Sequence, residues 1–132
     1  MNNIRAFMEG KLSAWASQQS PVVPVAYQNV AFNKPAGSKF VECFLLPNTT
    51  IQNEVAGKRA TMLGLFQVNC WAPKGNGMQQ AEAMAYSIVS AFPMLPKLAV
   101  SIEATPSIGK AILDDSGWVI VPVVIKYRYE SS

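Results

Sequence analysis

The chain contains no histidine, only two cysteines, and charged side chains at just 14% of its 132 positions. Without histidine there is no usual general base at neutral pH, no commonest metal ligand, and no Ser-His or Cys-His nucleophilic pair. Cys43 and Cys70 are too few and too far apart for the familiar zinc sites. Both fall inside expected strands, which reads as two buried reduced thiols and not a disulfide. Arginine is scarce, three against eight lysines, and the net charge is only +3. The basic residues are scattered, with Lys58-Arg59 the only adjacent pair, and the aromatics are not interleaved with them. That pattern excludes an electrostatic footprint for sequence-specific nucleic-acid binding. No apolar run approaches the roughly 20 residues that span a bilayer. The opening MNNIRAFMEGKLSAW lacks the basic start and apolar block of a signal peptide, so no membrane partner is expected.

Two further features look like chemistry and are better read as structure. Asp114-Asp115 is the only adjacent carboxylate pair, but neighbouring acids on a turn point apart and stay solvated. Residues 73–77, PKGNG, loosely resemble a phosphate cradle. A phosphate loop needs its lysine and hydroxyl after the second glycine, whereas here Met78 and Gln79 follow Gly77. The segment is a helix entry, with weak anion binding at the helix start as the most it offers. Nothing in the chain carries a reaction, so the expectation is a non-enzyme with no cofactor and no metal.

Half of the residues are hydrophobic. A chain this long buries roughly two thirds of its unfolded surface, and residues 1–132 are read as one domain. The low charge leaves apolar surface for a subunit interface, which points to an oligomer.

Ile4, Phe7, Met8, Leu12 and Trp15 recur at three- and four-residue steps behind a capping Asn2 or Asn3, predicting a helix of about four turns. Pro21 and Pro24 forbid its continuation. A first strand is expected at 24–30, a turn at 33–37, and a second strand at 40–46. That second strand is apolar at nearly every position except Glu42, the mark of a strand covered on both faces or central in the sheet. Residues 47–60 then read as a long projecting loop, a length that in compact domains is usually functional or mobile. Within it, Ile51 and Val55 favour a contact.

A third strand at 62–72 alternates Leu63, Leu65, Gln67, Asn69 and Trp71 with Met62, Phe66, Val68 and Cys70. Gly64 in that strand marks a bulge or a close backbone approach. Asn76 is the natural cap of a second helix, with Gln79 completing a capping box. Met78, Ala81, Ala85, Ile88, Val89 and Phe92 form its stripe, and Pro93 ends it. A strand through Leu98, Val100 and Ile102 follows, and then a hairpin turning at 114–117. A long strand, 118–129, closes the order, with one side expected to be unpaired or bulged at Pro122. The tryptophans at 15, 71 and 118 are core positions first and interface positions second. The architecture is therefore α+β: a mixed, mostly antiparallel sheet with two helices packed on one face.

Several segments carry a family resemblance. They are the first helix, PVAYQNVAF (24–32), FVECFLLP (40–47) with the long loop after it, and the late Gly-Trp strand through Lys126-Tyr127-Arg128-Tyr129. The most specific is GLFQVNCWAPKGNG (64–77), leading into the alanine-rich helix. Together they resemble the tail-terminator proteins of long-tailed bacteriophages. That resemblance implies a structural virion protein located at the head-proximal end of the tail and assembled in the host cytoplasm. There it caps the tail tube as a hexameric ring, stops tube polymerisation, and presents a surface to head-completion proteins. Its partners would be copies of itself, the tail tube protein and a head-completion protein, meeting through a closed heterologous interface. The resemblance carries over regions and no individual residues. The interface candidates are the arm, with Ile51, Glu54, Val55, Lys58 and Arg59, and the exposed hairpin with Asp114, Asp115 and Trp118. A head–tail connector protein, a tail-tube subunit, and a small ligand-binding accessory domain remain alternative readings.

Overall fold

The structure, a computed structural model, describes residues 2–19, 22–28, 30–33, 38–52, 60–76, 78–92, 100–102, 106–114 and 117–131. Helix α1 (Asn2–Ser17) follows the apolar stripe of its sequence. Ile4, Met8, Leu12, Trp15 and Ala16 are buried, while Phe7 packs only partly. Arg5 and Glu9, one turn apart, pair on its flank at 3.2 Å. The helix ends by tightening: the Gln18 and Gln19 amides reach back three residues to Trp15 and Ala16.

Helix α2 (Gln79–Ala91) starts differently from the expectation. Asn76 does not cap it, because Lys74–Asn76 is a 3-10 turn, held by the Lys74 amide on the Gly117 carbonyl at 3.0 Å. The cap position is Met78, which is helical itself and has no capping side chain. Met78 is 47% exposed and therefore not part of the apolar stripe, which runs through Ala81, Met84, Ala85, Ile88 and Phe92. Glu82 in the first turn faces the positive end of the helix. Trp15 Nε1 donates to Ser87 Oγ at 2.8 Å and joins the two helices.

The sheet is built on three long antiparallel strands: β2 (Phe40–Gln52), β3 (Ala60–Pro73) and β7 (Trp118–Ser131). β1 (Val25–Ala26) joins β2 in parallel. On the far side of β7 lie β4 (Val100–Ile102), β5 (Ser107–Ile108) and β6 (Ile112–Asp114), each pairing a different stretch of it. The sheet is thus mixed and mostly antiparallel, as the sequence predicts, although several boundaries move. The strand expected at 24–30 shrinks to two residues, because a turn from Tyr27 to Val30 takes the chain off the edge. β5 is not apparent from the sequence, and Leu98 lies outside the described residues.

The largest difference concerns the expected loop at 47–60. β2 and β3 stay paired out to Gln52 and Ala60, and β7 follows alongside to Ser131. Only 53–59 separate the two strands, and those residues lie outside the described set. The polar run 48–52 owes its strand state to this distant pairing.

Alternation divides the sheet cleanly. Val41, Cys43 and Leu45, then Phe66, Val68, Cys70 and Ala72, then the odd-numbered residues of β7 up to Tyr127, face both helices in one buried cluster. Burying each large aliphatic contributes roughly 1.5–3 kcal/mol. Burial pushes both thiols up to about 12, with the nearby Glu9 carboxylate adding to the effect at Cys43. The thiols are free: Cys43 lies opposite Val68 and Cys70 opposite Val41.

Gly64 is a close-approach position, as its sequence context suggests. It sits opposite Tyr127 on one side and, on the other, beside a register shift between Pro47 and Thr49. A Cβ there would stand 2.6 Å from Tyr127 Cζ and 2.8 Å from the Leu46 carbonyl oxygen. Pro122 falls where β7 changes partner from β5 to β6, and its carbonyl accepts from the Gly109 amide at 2.8 Å. A strand residue directs its N–H and C=O to the same side, so the missing donor faces this break in the ladder. Gly117, at φ +96°, supplies the left-handed residue that closes the β6–β7 hairpin.

Candidate functional site

The helices cover one face of the sheet, so the other face is the surface to consider. Phe40 opens β2 on that face and is only 1% exposed, because other rings cover it. Trp71 stacks on it at 5.3 Å and 19°. Trp118 meets it edge-on at 5.3 Å, and Phe32 lies tilted at 5.3 Å. Trp118 also meets Trp71 edge-on at 5.9 Å. Such offset and edge-to-face pairs add roughly 0.5–1.5 kcal/mol each beyond area burial. A polar line continues from this cluster. Glu42 Oε1 accepts from Trp71 Nε1 at 2.9 Å and from Asn69 Nδ2 at 3.3 Å. Asn69 Oδ1 in turn accepts from Gln67 Nε2 at 2.9 Å.

Beside the aromatic cluster, where the chain turns away from β1, lies an open groove of about 420 Å³. Tyr27, Gln28, Val30 and Phe32 line it together with Phe40, Glu42 and Phe44 of β2. The sequence signal for it is the second strand, which is apolar on both faces with Glu42 as the exception. Of the residues that complete the groove, Tyr27, Gln28 and Val30 fall in the strand expected at 24–30 and Phe32 lies beyond it, and none carries a local mark of this role.

The β2 edge next to the groove is blocked. The Val41 amide donates to the Pro24 carbonyl at 3.1 Å. By alternation the outward amides that follow belong to Cys43, which still lies beside β1, and then to Leu45 and Pro47. The Leu45 N–H is taken by Gln28 Oε1 at 3.0 Å, an oxygen that also accepts from Arg5 at 3.1 Å. Pro47 has no N–H to offer. Asn48 is then the extra residue of the bulge, since Pro47 pairs with Gly64 and Thr49 with Leu63. Pairing, a side-chain cap, a proline and a bulge are the usual devices against unwanted strand addition.

Beyond the bulge the three long strands continue as a ribbon. Among the expected interface residues, Ile51 lies in it, paired with Thr61. Glu54, Val55, Lys58, Arg59 and Asp115 lie outside the described residues. Asp114 ends β6 and pairs with Trp118 at the start of β7. Trp118 belongs to the aromatic cluster and is half-buried there. Of the described candidates, Ile51 therefore lies in the ribbon at one end of the sheet, and Asp114 and Trp118 lie in the hairpin at the other. Among the described residues no group of three or more His, Cys, Asp or Glu could hold a metal, and no helix is long and apolar enough to cross a membrane.

The sequence profile described as phage tail terminator protein matches residues 3–127. One solved structure is similar with a TM-score of 0.78 and 34% identity, over 96% of this chain and 92% of that one. No curated protein matches the chain.

Proposed function

Because this chain belongs to the phage tail terminator protein family, a family of structural virion proteins, we propose that it closes as a hexameric ring on the head-proximal end of the tail tube. The ring stops addition of tube protein and offers the surface to which the head-completion protein binds. The observation that carries this reading is the contrast along β2. Its proximal edge is blocked by β1, Gln28, Pro47 and the bulge, while its distal part continues as a paired ribbon to Gln52. A blocked edge does not template another strand, which suits a subunit at which growth ends. A projecting ribbon and an unlike surface elsewhere suit a heterologous contact that closes on itself.

Disrupting the gene in its parent phage and measuring tail lengths by electron microscopy tests this function. Overlong or ragged tails, free of full heads, are the expected result. Tails of normal length left unjoined to heads would make the protein a head–tail connector. Intact infectious particles would overturn both readings.

A further inference from the structure

We propose that the groove beside β2 receives the Lys58-Arg59 end of the arm from a second copy of this chain. Each subunit is then groove to one neighbour and arm to the other. The proposal rests on the ring reading above and names the contact that would close the ring.

The groove has the chemistry of a cation site. Glu42 is half-buried among aromatic rings, and both of its hydrogen bonds use Oε1. Its Oε2 has no partner among the described residues. The half-buried rings of Phe32 and Phe44 line the same space, over the covered Phe40. A carboxylate oxygen beside aromatic faces attracts lysine or arginine through a charge-assisted hydrogen bond and cation–π contact. Arg5, which reaches the Gln28 wall, is already paired with Glu9 at 3.2 Å. Val30 on the rim is 60% exposed.

The complementary charge is in the same chain. Lys58-Arg59 is its only adjacent basic pair, and Arg59 is bonded to Ala60, the residue paired with Gln52 at the end of the ladder. Glu42 and Gln52 stand ten residues apart on one strand, roughly 33 Å at a strand's rise. Consecutive Cα atoms are 3.8 Å apart, so Lys58 and Arg59, turned fully back with their side chains extended, would still fall roughly 15 Å short. A subunit therefore cannot fill its own groove. Donor and acceptor at opposite ends of one strand define a head-to-tail contact, and such a contact closes into a ring when its rotation permits.

A photo-crosslinking residue at the exposed position 30 tests the contact in purified tails assembled from mixed heavy- and light-isotope protein. The expected result is heavy–light crosslinks from position 30 to residues 53–60, identified by mass spectrometry. Glu42→Gln keeps an acceptor for Trp71 and removes the charge. It should lower the crosslink yield by about tenfold at an unchanged melting temperature. Lys58→Glu with Arg59→Glu should lower it equally without altering the groove. Crosslinks within one chain, crosslinks to tube protein, or yields insensitive to both variants would overturn the groove assignment and leave the ring reading standing. Absence of the protein from purified tails would overturn both.

Discussion

Replacing Gly64 by alanine places a methyl group where the structure has no room for one. The added carbon would lie 2.6 Å from Tyr127 Cζ and 2.8 Å from the Leu46 carbonyl oxygen. Ordinary contact needs about 3.5–4.0 Å between carbons. Neither neighbour yields easily: the carbonyl is backbone of β2, and Tyr127 is 2% exposed within the core. Forcing a methylene into such a site costs about 1–3 kcal/mol. The reduced freedom of the unfolded chain returns about 0.4–1 kcal/mol. A net loss of about 1–2 kcal/mol is expected, or about 4–10 °C in Tm for a domain of this size. Calorimetry and urea unfolding measure it, with the m-value unchanged.

A cycle with Tyr127→Leu, which shortens the ring pressed on Gly64, identifies the cause. The two substitutions should couple by about 1 kcal/mol or more, the double variant being less damaged than the sum. A Gly64→Ala protein as stable as the parent, or strictly additive effects, would refute the tight approach.

The buried thiols make stability fall in alkali. Both are pushed up to about 12 from 9.0, so the unfolded chain loses its thiol protons first. Their contribution is complete below pH 9 and is lost as pH rises toward 12, by at most about 1.4 kcal/mol per pH unit for each thiol. Urea midpoints of the parent should drop more steeply in that window than those of Cys43→Ala/Cys70→Ala, and equal slopes would contradict it. Trp15→Phe removes the Ser87 hydrogen bond between the helices, and a loss of about 1 kcal/mol in thermal unfolding is expected beyond the change in ring size. Ser87→Ala in the Trp15→Phe background should then cost little, whereas full additivity would show the bond to be idle.

Much of the core is written in local periodicity. Ile4, Met8, Leu12 and Trp15 bury together because a helical step of three to four residues puts them on one side. The alternation in β3 and β7 sorts Phe66, Val68 and Cys70 from Gln67 and Asn69 without knowledge of any partner. Gly64 stands out because a glycine inside a strand of large residues implies a neighbour in the space of its missing side chain, and that neighbour is Tyr127. The start of α2 was not legible. Asn76 and Gln79 have the spacing of a capping box, but the Gly117 carbonyl, over forty residues away, holds the preceding turn in another conformation. The groove was half legible: Glu42 stands out in its apolar strand, while Tyr27, Val30 and Phe32 acquire their role only when the chain turns beside it.

The sequence alone determined which side chains are available, since no fold supplies a histidine or a third cysteine that the chain does not contain. It also determined which face of α1, β3 and β7 is buried, because side-chain direction follows from the repeat of the backbone. The tertiary structure alone decided how far the strands run, which edge is blocked and where the groove opens. The extension of β2 to Gln52 depends on hydrogen bonds to β3, and the block at Leu45 on a side chain 17 residues away. Partners that meet only after folding leave no periodic trace in either segment.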